Sequence, residues 1–250
     1  MIAQMDNPPP REKRALGFKP LYGQVRDILV ARLIEGVWKP GDPLPSEFQL
    51  AEELGVSQGT MRKALDELVG RNLLVRRQGR GTFVARHDQQ RALFHFFKLE
   101  PNDRSRRLPT SQVLGVATGT ADNAEREALS LDAGVKVIRV ERLRFFEGKA
   151  IVRERISLPR AIFAGIEERE ALPNTLYALY ALDYGVTVAE AREELRAVAA
   201  GPEDARDLGL APGTPLLEIR RVAVALDGRP VELRVSRCDT GHCRYVADLR

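Results

Sequence analysis

The sequence predicts a fold of the α+β class, in which a small helical N-terminal domain precedes a larger domain built on an antiparallel sheet. Three patterns support this prediction. Apolar residues recur at helical spacing between residues 21 and 69, and an alternating segment with two central glycines follows at residues 73–84. A strand-turn-strand pattern occurs at residues 136–158 and returns, more faintly, at residues 217–237. The 250 residues suffice for two domains of ordinary size.

The composition is that of a soluble globular protein, with 44% hydrophobic residues, 30% charged residues and a net charge of +4. No apolar run approaches the roughly 20 residues of a membrane span, and residues 1–17 lack the apolar core of a signal peptide. The two cysteines, Cys238 and Cys243, do not have metal-binding spacing. We therefore expect a cytoplasmic protein with no membrane segment, no disulfide framework, no cofactor and no metal site.

The first predicted helix runs from Leu21 to about Glu35 and ends at Gly36. Its predicted inward residues are Leu21, Val25, Ile28 and Leu29. The next segment, VWKPGDPLP, is punctuated by proline and glycine, which predicts a loop.

Two short helices are predicted to follow this loop. Ser46 and Gln49 form a capping-box pattern that starts the second helix, which ends at Gly55. Ser57 caps the third helix, whose predicted inward residues are Met61, Ala64, Leu65, Leu68 and Val69. Two short helices joined by a tight, glycine-containing turn are typical of a helix-turn-helix.

The segment LLVRRQGRGTFV after the third helix alternates and contains Gly79 and Gly81, which predicts a β-hairpin. Its arginines Arg76, Arg77 and Arg80 are expected around the tip. A helix, a helix-turn-helix and a basic hairpin in this order predict a winged helix-turn-helix of about 65 residues.

The first turn of the third helix has the composition expected of a surface that approaches DNA. Ser57, Gly59 and Thr60 are small enough to let the backbone come close to the major groove. Gln58 can pair with adenine, and Arg62 can bind guanine or a phosphate. The hairpin would add contacts to phosphates or the minor groove. The candidate DNA-binding residues are Ser57, Gln58, Gly59, Thr60, Arg62, Gly79 and Arg80.

Taken singly, each of these features has an ordinary structural explanation. The third helix could be an amphipathic helix with a solvated polar face, and the hairpin could be solvated with excess charge. The order and spacing of all the elements together favour double-stranded DNA as a partner.

The second domain is predicted to begin with a strand at residues 93–98, in which His95 is interpreted as structural, and a helix is expected near residue 122. In the strand that follows, Arg142 and Arg144 interrupt an apolar face, and Glu154 interrupts the apolar face of the returning strand. A three-residue loop in the turn FEGKA sets Arg142 opposite Glu154, whereas a two-residue turn sets it opposite Arg153. We favour the three-residue loop because it pairs acid with base.

This register gives the two arginines different predicted roles. Arg142 has Glu154 as its partner, whereas Arg144 has no obvious protein partner and would be free for a carboxylate or phosphate. A buried structural Arg-Glu pair, or an exposed sheet face, explains the same pattern. The fainter second hairpin carries Val222 and Val224 where the first carries arginines, so it is interpreted as framework. Residues 188–200 between the hairpins are interpreted as a strand-to-helix region.

The N-terminal part resembles the DNA-binding domain of GntR-type bacterial transcription regulators. The loop PGDPLPSE, the helices LAEELGVSQGTMRKALDEL and the wing GRGTFV match that family in order. Two positions depart from it, because the family often has arginine where this chain has Phe48 and Gln58. The operator sequence therefore does not follow from the family.

The C-terminal part resembles the UTRA domain of the HutC branch, at VERLRFFEGKAIVRERISLP and VELRVSRCDTGHCRYVADL. This resemblance implies an α/β fold similar to chorismate lyase with an antiparallel sheet. It also implies that Arg142, Arg144 and Glu154 bind a small effector, and that the protein is a homodimeric repressor on a pseudo-palindromic operator. The alternatives are a chorismate-lyase-like enzyme, for which no nucleophile or catalytic acid pair is evident, and an effector-independent DNA-binding protein.

The predicted organisation has four parts. Residues 1–17 form a flexible tail, and residues 18–86 form the winged helix-turn-helix domain. Residues 87–92 are a linker, and residues 93–250 form the effector-binding and dimerisation domain.

Overall fold

The computed structural model describes residues 20–71, 73–85, 97–103 and 109–247. The predicted tail, the predicted linker and His95 lie outside these residues. The strand predicted at residues 93–98 overlaps the described part only at Phe97 and Lys98, neither of which lies in a strand.

The N-terminal domain contains three helices and one hairpin, as predicted. They are α1 (Leu21–Ile34), α2 (Glu47–Glu53), α3 (Gln58–Gly70), β1 (Leu74–Arg77) and β2 (Gly81–Val84). β1 and β2 pair antiparallel. Both predicted caps are present: Ser46 and Gln49 form a complete capping box, and Ser57 accepts a hydrogen bond from the Thr60 backbone N–H.

The core of this domain is formed by one face of each helix and the base of the hairpin. It contains Val25, Leu29, Leu50, Met61, Ala64, Leu65, Leu68 and Leu74. The prediction was wrong for Leu21 and Ile28, which are largely exposed on α1. Leu54 and Val69 are half-buried at the margin of the core. The buried face of α1 therefore contains fewer of its apolar residues than the helical spacing predicts.

The C-terminal domain is built on one six-stranded antiparallel sheet. Its strands are β4 (Thr110–Thr120), β5 (Lys136–Phe146), β6 (Lys149–Pro159), β7 (Val188–Ala199), β8 (Pro215–Ala225) and β9 (Pro230–Cys238), in the spatial order β4-β5-β6-β9-β8-β7. A separate two-stranded sheet pairs β3 (Leu99–Pro101) with β10 (Cys243–Tyr245).

Four short α-helices lie between these strands in the described part of the domain. They are α4 (Asn123–Leu129), α5 (Arg160–Phe163), α6 (Leu176–Asp183) and α7 (Pro202–Leu208). α4 begins with the predicted capping box, in which the side chain of Asp122 and that of Glu125 bond each other's backbone N–H. α6 contributes Tyr177 and Tyr180 to the largest apolar cluster, which covers one face of the sheet.

The predicted register of the β5–β6 hairpin is confirmed, but the loop that produces it differs from the prediction. Arg142 lies opposite Glu154, and Val140 lies opposite Ile156. The turn itself has two residues, Glu147 and Gly148, both with positive φ, so the three-residue loop was wrong. The pairing passes from Arg144–Val152 to Phe145–Ala150, so Ile151 is an extra residue that restores the favoured register.

Residues Val188–Ala199 form a strand throughout, so the predicted change to a helix in this segment was wrong. The sequence VAEAREELRAVA is rich in residues that favour helices. Its pairing with β8 along the whole strand outweighs that preference.

Candidate DNA interface and effector site

The first turn of α3 is exposed and carries mostly short side chains. Ser57 Oγ lies 3.2 Å from the Thr60 backbone nitrogen and 2.9 Å from Thr60 Oγ1. Ser57, Gln58 and Gly59 are exposed. The first turn therefore presents the short side chains of Ser57 and Thr60 and the bare backbone of Gly59, with the longer Gln58 side chain exposed beside them.

Arg62 also lies on this exposed side, but it has a protein partner that the sequence did not indicate. Its Nε donates to Glu47 Oε2 at 3.0 Å, across the gap between α3 and α2. Phe48, the next residue of α2, is 60% exposed. The two terminal nitrogens of Arg62 have no hydrogen bond to any residue that the structure describes, which leaves them available for a bidentate contact with a base.

The wing does not present all three of its arginines in the same way. Arg76 is bound to Asp66 and, through Nη2 at 2.8 Å, to Glu47, so it is turned towards its own domain. Arg77 lies over the Phe83 ring, 4.7 Å from its centroid. Arg80 is exposed at the turn and has no ion pair within the described residues. Of the three arginines predicted around the tip, Arg80 is therefore the one that extends into solvent without an ion-pair partner among the described residues.

Gly79 and Gly81 flank Arg80 with φ values of 70° and 99°. These are left-handed conformations that glycine adopts without strain. The two glycines therefore hold Arg80 at the outer end of the hairpin. The DNA-binding role predicted for Gly79 stays a prediction.

The three predicted effector-binding residues meet on the inner face of the C-terminal sheet. Arg142 Nε donates to Glu154 Oε2 at 2.5 Å, and Arg144 Nε lies 3.3 Å from the same oxygen. All three side chains are at most 2% exposed. The confirmed register places them together, because cross-strand neighbours on one face of a sheet lie side by side.

The prediction that Arg144 has no protein partner was wrong. Besides Glu154, it donates from Nη1 to Asn174 Oδ1 at 2.9 Å, and its guanidinium lies 5.2 Å from the centre of the Phe97 ring. Burial lowers the pKa of Arg144 to about 9. The positive charges of Arg142 and Arg234 also lower this pKa, whereas the carboxylate of Glu154 raises it.

Arg142 is satisfied on only one side. Its Nη1 reaches the Asn174 backbone oxygen at 3.3 Å, but its buried Nη2 has no hydrogen-bond partner among the described residues. A buried, unpaired guanidinium nitrogen is costly. The site therefore lacks one acceptor at this position.

The second hairpin is not only framework, and that interpretation is corrected. Arg234 of β9 lies 3.7 Å from Glu154 and is bound at 2.8 Å by Glu232. Glu232 also accepts hydrogen bonds from the Tyr177 and Tyr180 hydroxyls, at 3.0 and 2.8 Å. Alignment of the two hairpins at their turn glycines placed Val222 at the position of Arg142, which suggested that the second hairpin has no charged residues in the site. The alternation Glu232-x-Arg234 on the returning strand is the signal that could have revealed them.

Arg142, Arg144, Arg234, Glu154 and Glu232 form one buried cluster. Its electrostatics keep the two carboxylates charged. Burial opposes ionisation of Glu154, but the charges of Arg142, Arg144 and Arg234 hold its pKa well below the usual range. Burial likewise opposes ionisation of Glu232, and Arg234 nevertheless lowers its pKa. Burial raises the pKa of Tyr177 to about 12, so this hydroxyl remains a neutral donor.

Two family models match the chain. Residues 21–84 match bacterial regulatory proteins of the gntR family, and residues 104–243 match the UTRA domain. The histidine utilization repressor of Pseudomonas putida is 31% identical over 222 residues, which are 88% of this chain and 85% of that protein. The Escherichia coli mannosyl-D-glycerate transport/metabolism system repressor MngR is 29% identical over 92% of this chain and 96% of its own length.

Solved structures give the same result. The ligand-binding domain of a GntR-family regulator from Bordetella bronchiseptica is 33% identical, covers 62% of this chain and 98% of its own, and superposes with a TM-score of 0.58. PhnF from Mycobacterium smegmatis is 26% identical, covers 90% of this chain and 99% of its own, and gives a TM-score of 0.55. The chain belongs to the GntR family of bacterial transcription regulators and carries a C-terminal UTRA domain of the HutC type.

None of the helices within the described residues is long and apolar enough to cross a membrane.

Proposed function

We propose that this regulator is a homodimeric repressor whose affinity for a pseudo-palindromic operator changes when an anionic metabolite binds the C-terminal domain. One observation carries the proposal. Three buried arginines surround Glu154, and one of their nitrogens, Arg142 Nη2, has no acceptor in the described part of the chain. A ligand oxyanion would supply that acceptor through a charge-assisted hydrogen bond.

The proposed DNA-reading surface is the first turn of α3 together with the wing. Ser57, Gln58, Gly59 and Thr60 would let α3 enter the major groove, and Arg62 would bind a base. Arg80, held by Gly79, would contact the backbone or the minor groove. Two such domains are needed, because one winged domain makes too few contacts for the usual affinity of an operator complex.

The effector acts by binding one conformational state more tightly than another, since only differential affinity can shift an equilibrium. Arg142, Arg144 and Glu154 are the proposed effector-binding residues. Two relatives are named as repressors, one for histidine utilization and one for a mannosyl-D-glycerate system, which supports repression as the mode of action.

We propose no catalytic role for this cluster. The ion pairs of Glu154 keep it charged and hold its pKa well below the usual range, so it is a weak base and a poor proton donor near neutral pH. A product assay with the purified chain and chorismate would detect the alternative activity.

The test of the proposal uses the full-length protein and a labelled fragment from the region upstream of its own gene. A thermal-shift screen of carboxylates and phosphates identifies stabilising compounds, and each compound is then titrated into the protein–DNA complex. We expect at least one stabilising anion to lower the affinity for DNA. Unchanged DNA affinity across the whole panel would support the effector-independent alternative instead.

A further inference from the structure

The buried cluster around Glu154 contains unequal numbers of positive and negative groups. Within the part of the chain that the structure describes, Arg142, Arg144 and Arg234 face two carboxylates, those of Glu154 and Glu232. All five side chains are at least nine-tenths buried. The adjoining hydroxyls of α6 are neutral, because burial raises the pKa of both tyrosines. The cluster therefore holds one uncompensated positive charge.

Neighbouring charged residues do not remove this excess. Arg221 lies on β8, the strand beside β9. Its Nη2 lies 2.5 Å from Glu193 Oε1, so the two residues together carry no net charge. Three other buried carboxylates among the described residues pair with cations outside the cluster: Glu125 with Arg139, Asp204 with Arg237 and Asp239 with Lys149. Adding the Arg221 pair to the cluster leaves the same excess of one positive charge.

The excess charge and the missing acceptor occur at the same place. Arg142 Nη2 is the donor of this cluster that has no partner among the described residues, and Arg142 and Arg144 both bond to Asn174. A buried charge is costly unless a counter-charge or hydrogen bonds compensate it. One oxyanion lying against Arg142 and Arg144 would supply both compensations at once.

We propose that the site is built for a ligand that buries a single negative charge, of the carboxylate type, against Arg142 and Arg144. This inference rests on the proposed function and adds the charge of the effector to it. A phosphate monoester carries roughly −1.5 to −2 at pH 7, so it would leave the sealed cluster with an excess of negative charge. A neutral ligand would leave the positive excess in place.

The first experiment supplies the missing charge within the chain itself. Asn174→Asp puts a carboxylate at the oxygen that already lies 2.9 Å from Arg144 Nη1. It also removes the Nδ2 donor to the Pro109 carbonyl, which costs stability at every pH. The matched control is Asn102→Asp, which removes a similar donor to the Gly241 carbonyl at an exposed turn.

The pH dependence separates the charge from the lost hydrogen bond. An aspartate beside the guanidinium of Arg144 has a lowered pKa when folded, so its stabilisation is present above the unfolded pKa of about 3.9 and is lost as pH falls. We expect the melting temperature of Asn174→Asp, relative to wild type, to rise by about 2–4 °C between pH 4 and pH 7. Asn102→Asp should show no such rise. A relative melting temperature that stays level or falls over this range for Asn174→Asp would overturn the inference.

The second experiment compares ligands of matched shape by calorimetric titration of the full-length protein at pH 7.5. The pairs are D-glucuronate against D-glucose 6-phosphate and D-glycerate against glycerol 3-phosphate. In any pair that binds, the carboxylate should bind at least ten-fold more tightly. Tighter binding of the phosphate ester would contradict the single-charge inference. If that ester also released the operator, the proposed function would still stand, which distinguishes the two failures.

Discussion

Arg62 and Glu47 join the two helices of the helix-turn-helix, with Arg62 Nε 3.0 Å from Glu47 Oε2. Glu47 also binds Arg76 of β1, in the wing, at 2.8 Å. One carboxylate therefore contacts an arginine from α3 and an arginine from the hairpin. Because Glu47 binds Arg62 only through Nε, the terminal nitrogens of Arg62 can still point towards a base.

Arg62→Ala should weaken operator binding by about 1–3 kcal/mol, since it removes one base contact. The affinity for unrelated DNA should change much less. Fluorescence anisotropy with operator and scrambled duplexes at one salt concentration measures both quantities. Equal losses on the two duplexes would mean that Arg62 contacts phosphate rather than a base.

Glu47→Ala should distinguish two effects of Glu47, the positioning of Arg62 and the repulsion of DNA phosphates. Removing an acid beside the DNA tightens non-specific binding, because less negative charge faces the phosphates. Loss of the Arg62 contact should at the same time weaken the operator complex, so the ratio of specific to non-specific affinity should fall about ten-fold. Glu52→Ala, which removes an exposed acid from the same helix, is the control and should leave that ratio unchanged. A Glu47→Ala protein that binds both duplexes more tightly by one common factor would disprove the positioning role.

Arg80→Ala should weaken binding to operator and unrelated DNA together. It should also reduce the slope of log affinity against log salt by about 1, as expected for one lost phosphate contact. Arg71→Ala is the control, since Arg71 pairs with Glu67 at the far end of α3. If the two variants show the same salt slope as wild type, the wing tip does not bind the backbone.

The full-length protein should be a dimer held chiefly by residues after 90. Pseudo-palindromic half-sites require two-fold proteins, and one winged domain offers a small contact area. Multi-angle light scattering at micromolar concentration, with and without operator, measures the mass directly. A mass near 27.9 kDa in both conditions would show a monomer.

Much of the fold could be predicted from local sequence signals. Ser46 and Ser57 mark helix starts because a side-chain oxygen next to the first turn satisfies free backbone N–H groups. The alternation around Arg142 and Glu154 determines which strand faces meet, since a slip of one residue would turn the apolar side chains to the other face. Both signals act within a few residues, and the structure confirms both.

Features that depend on distant contacts could not be predicted in this way. The bulge at Ile151 replaces the expected longer loop, because two different turns can produce the same register. Val188–Ala199 is a strand because β8 pairs with it, which local helix preference does not show. The Glu47–Arg62 contact and the Arg234–Glu154 contact join residues 15 and 80 positions apart, so no spacing rule indicates them.

The central claim is that an anion at Arg144 changes the affinity for the operator, and the most direct test is operator release by Arg144→Ala. The measurement titrates the best anion from the thermal-shift screen into preformed protein–operator complexes of wild type, Arg144→Ala and Arg144→Lys. We predict unchanged operator affinity without the anion for all three proteins, because Arg144 lies in the other domain. Release should be lost in Arg144→Ala and only partly restored in Arg144→Lys, which lacks the planar fork. Release of Arg144→Ala at the wild-type anion concentration would contradict the claim and make the buried arginines structural.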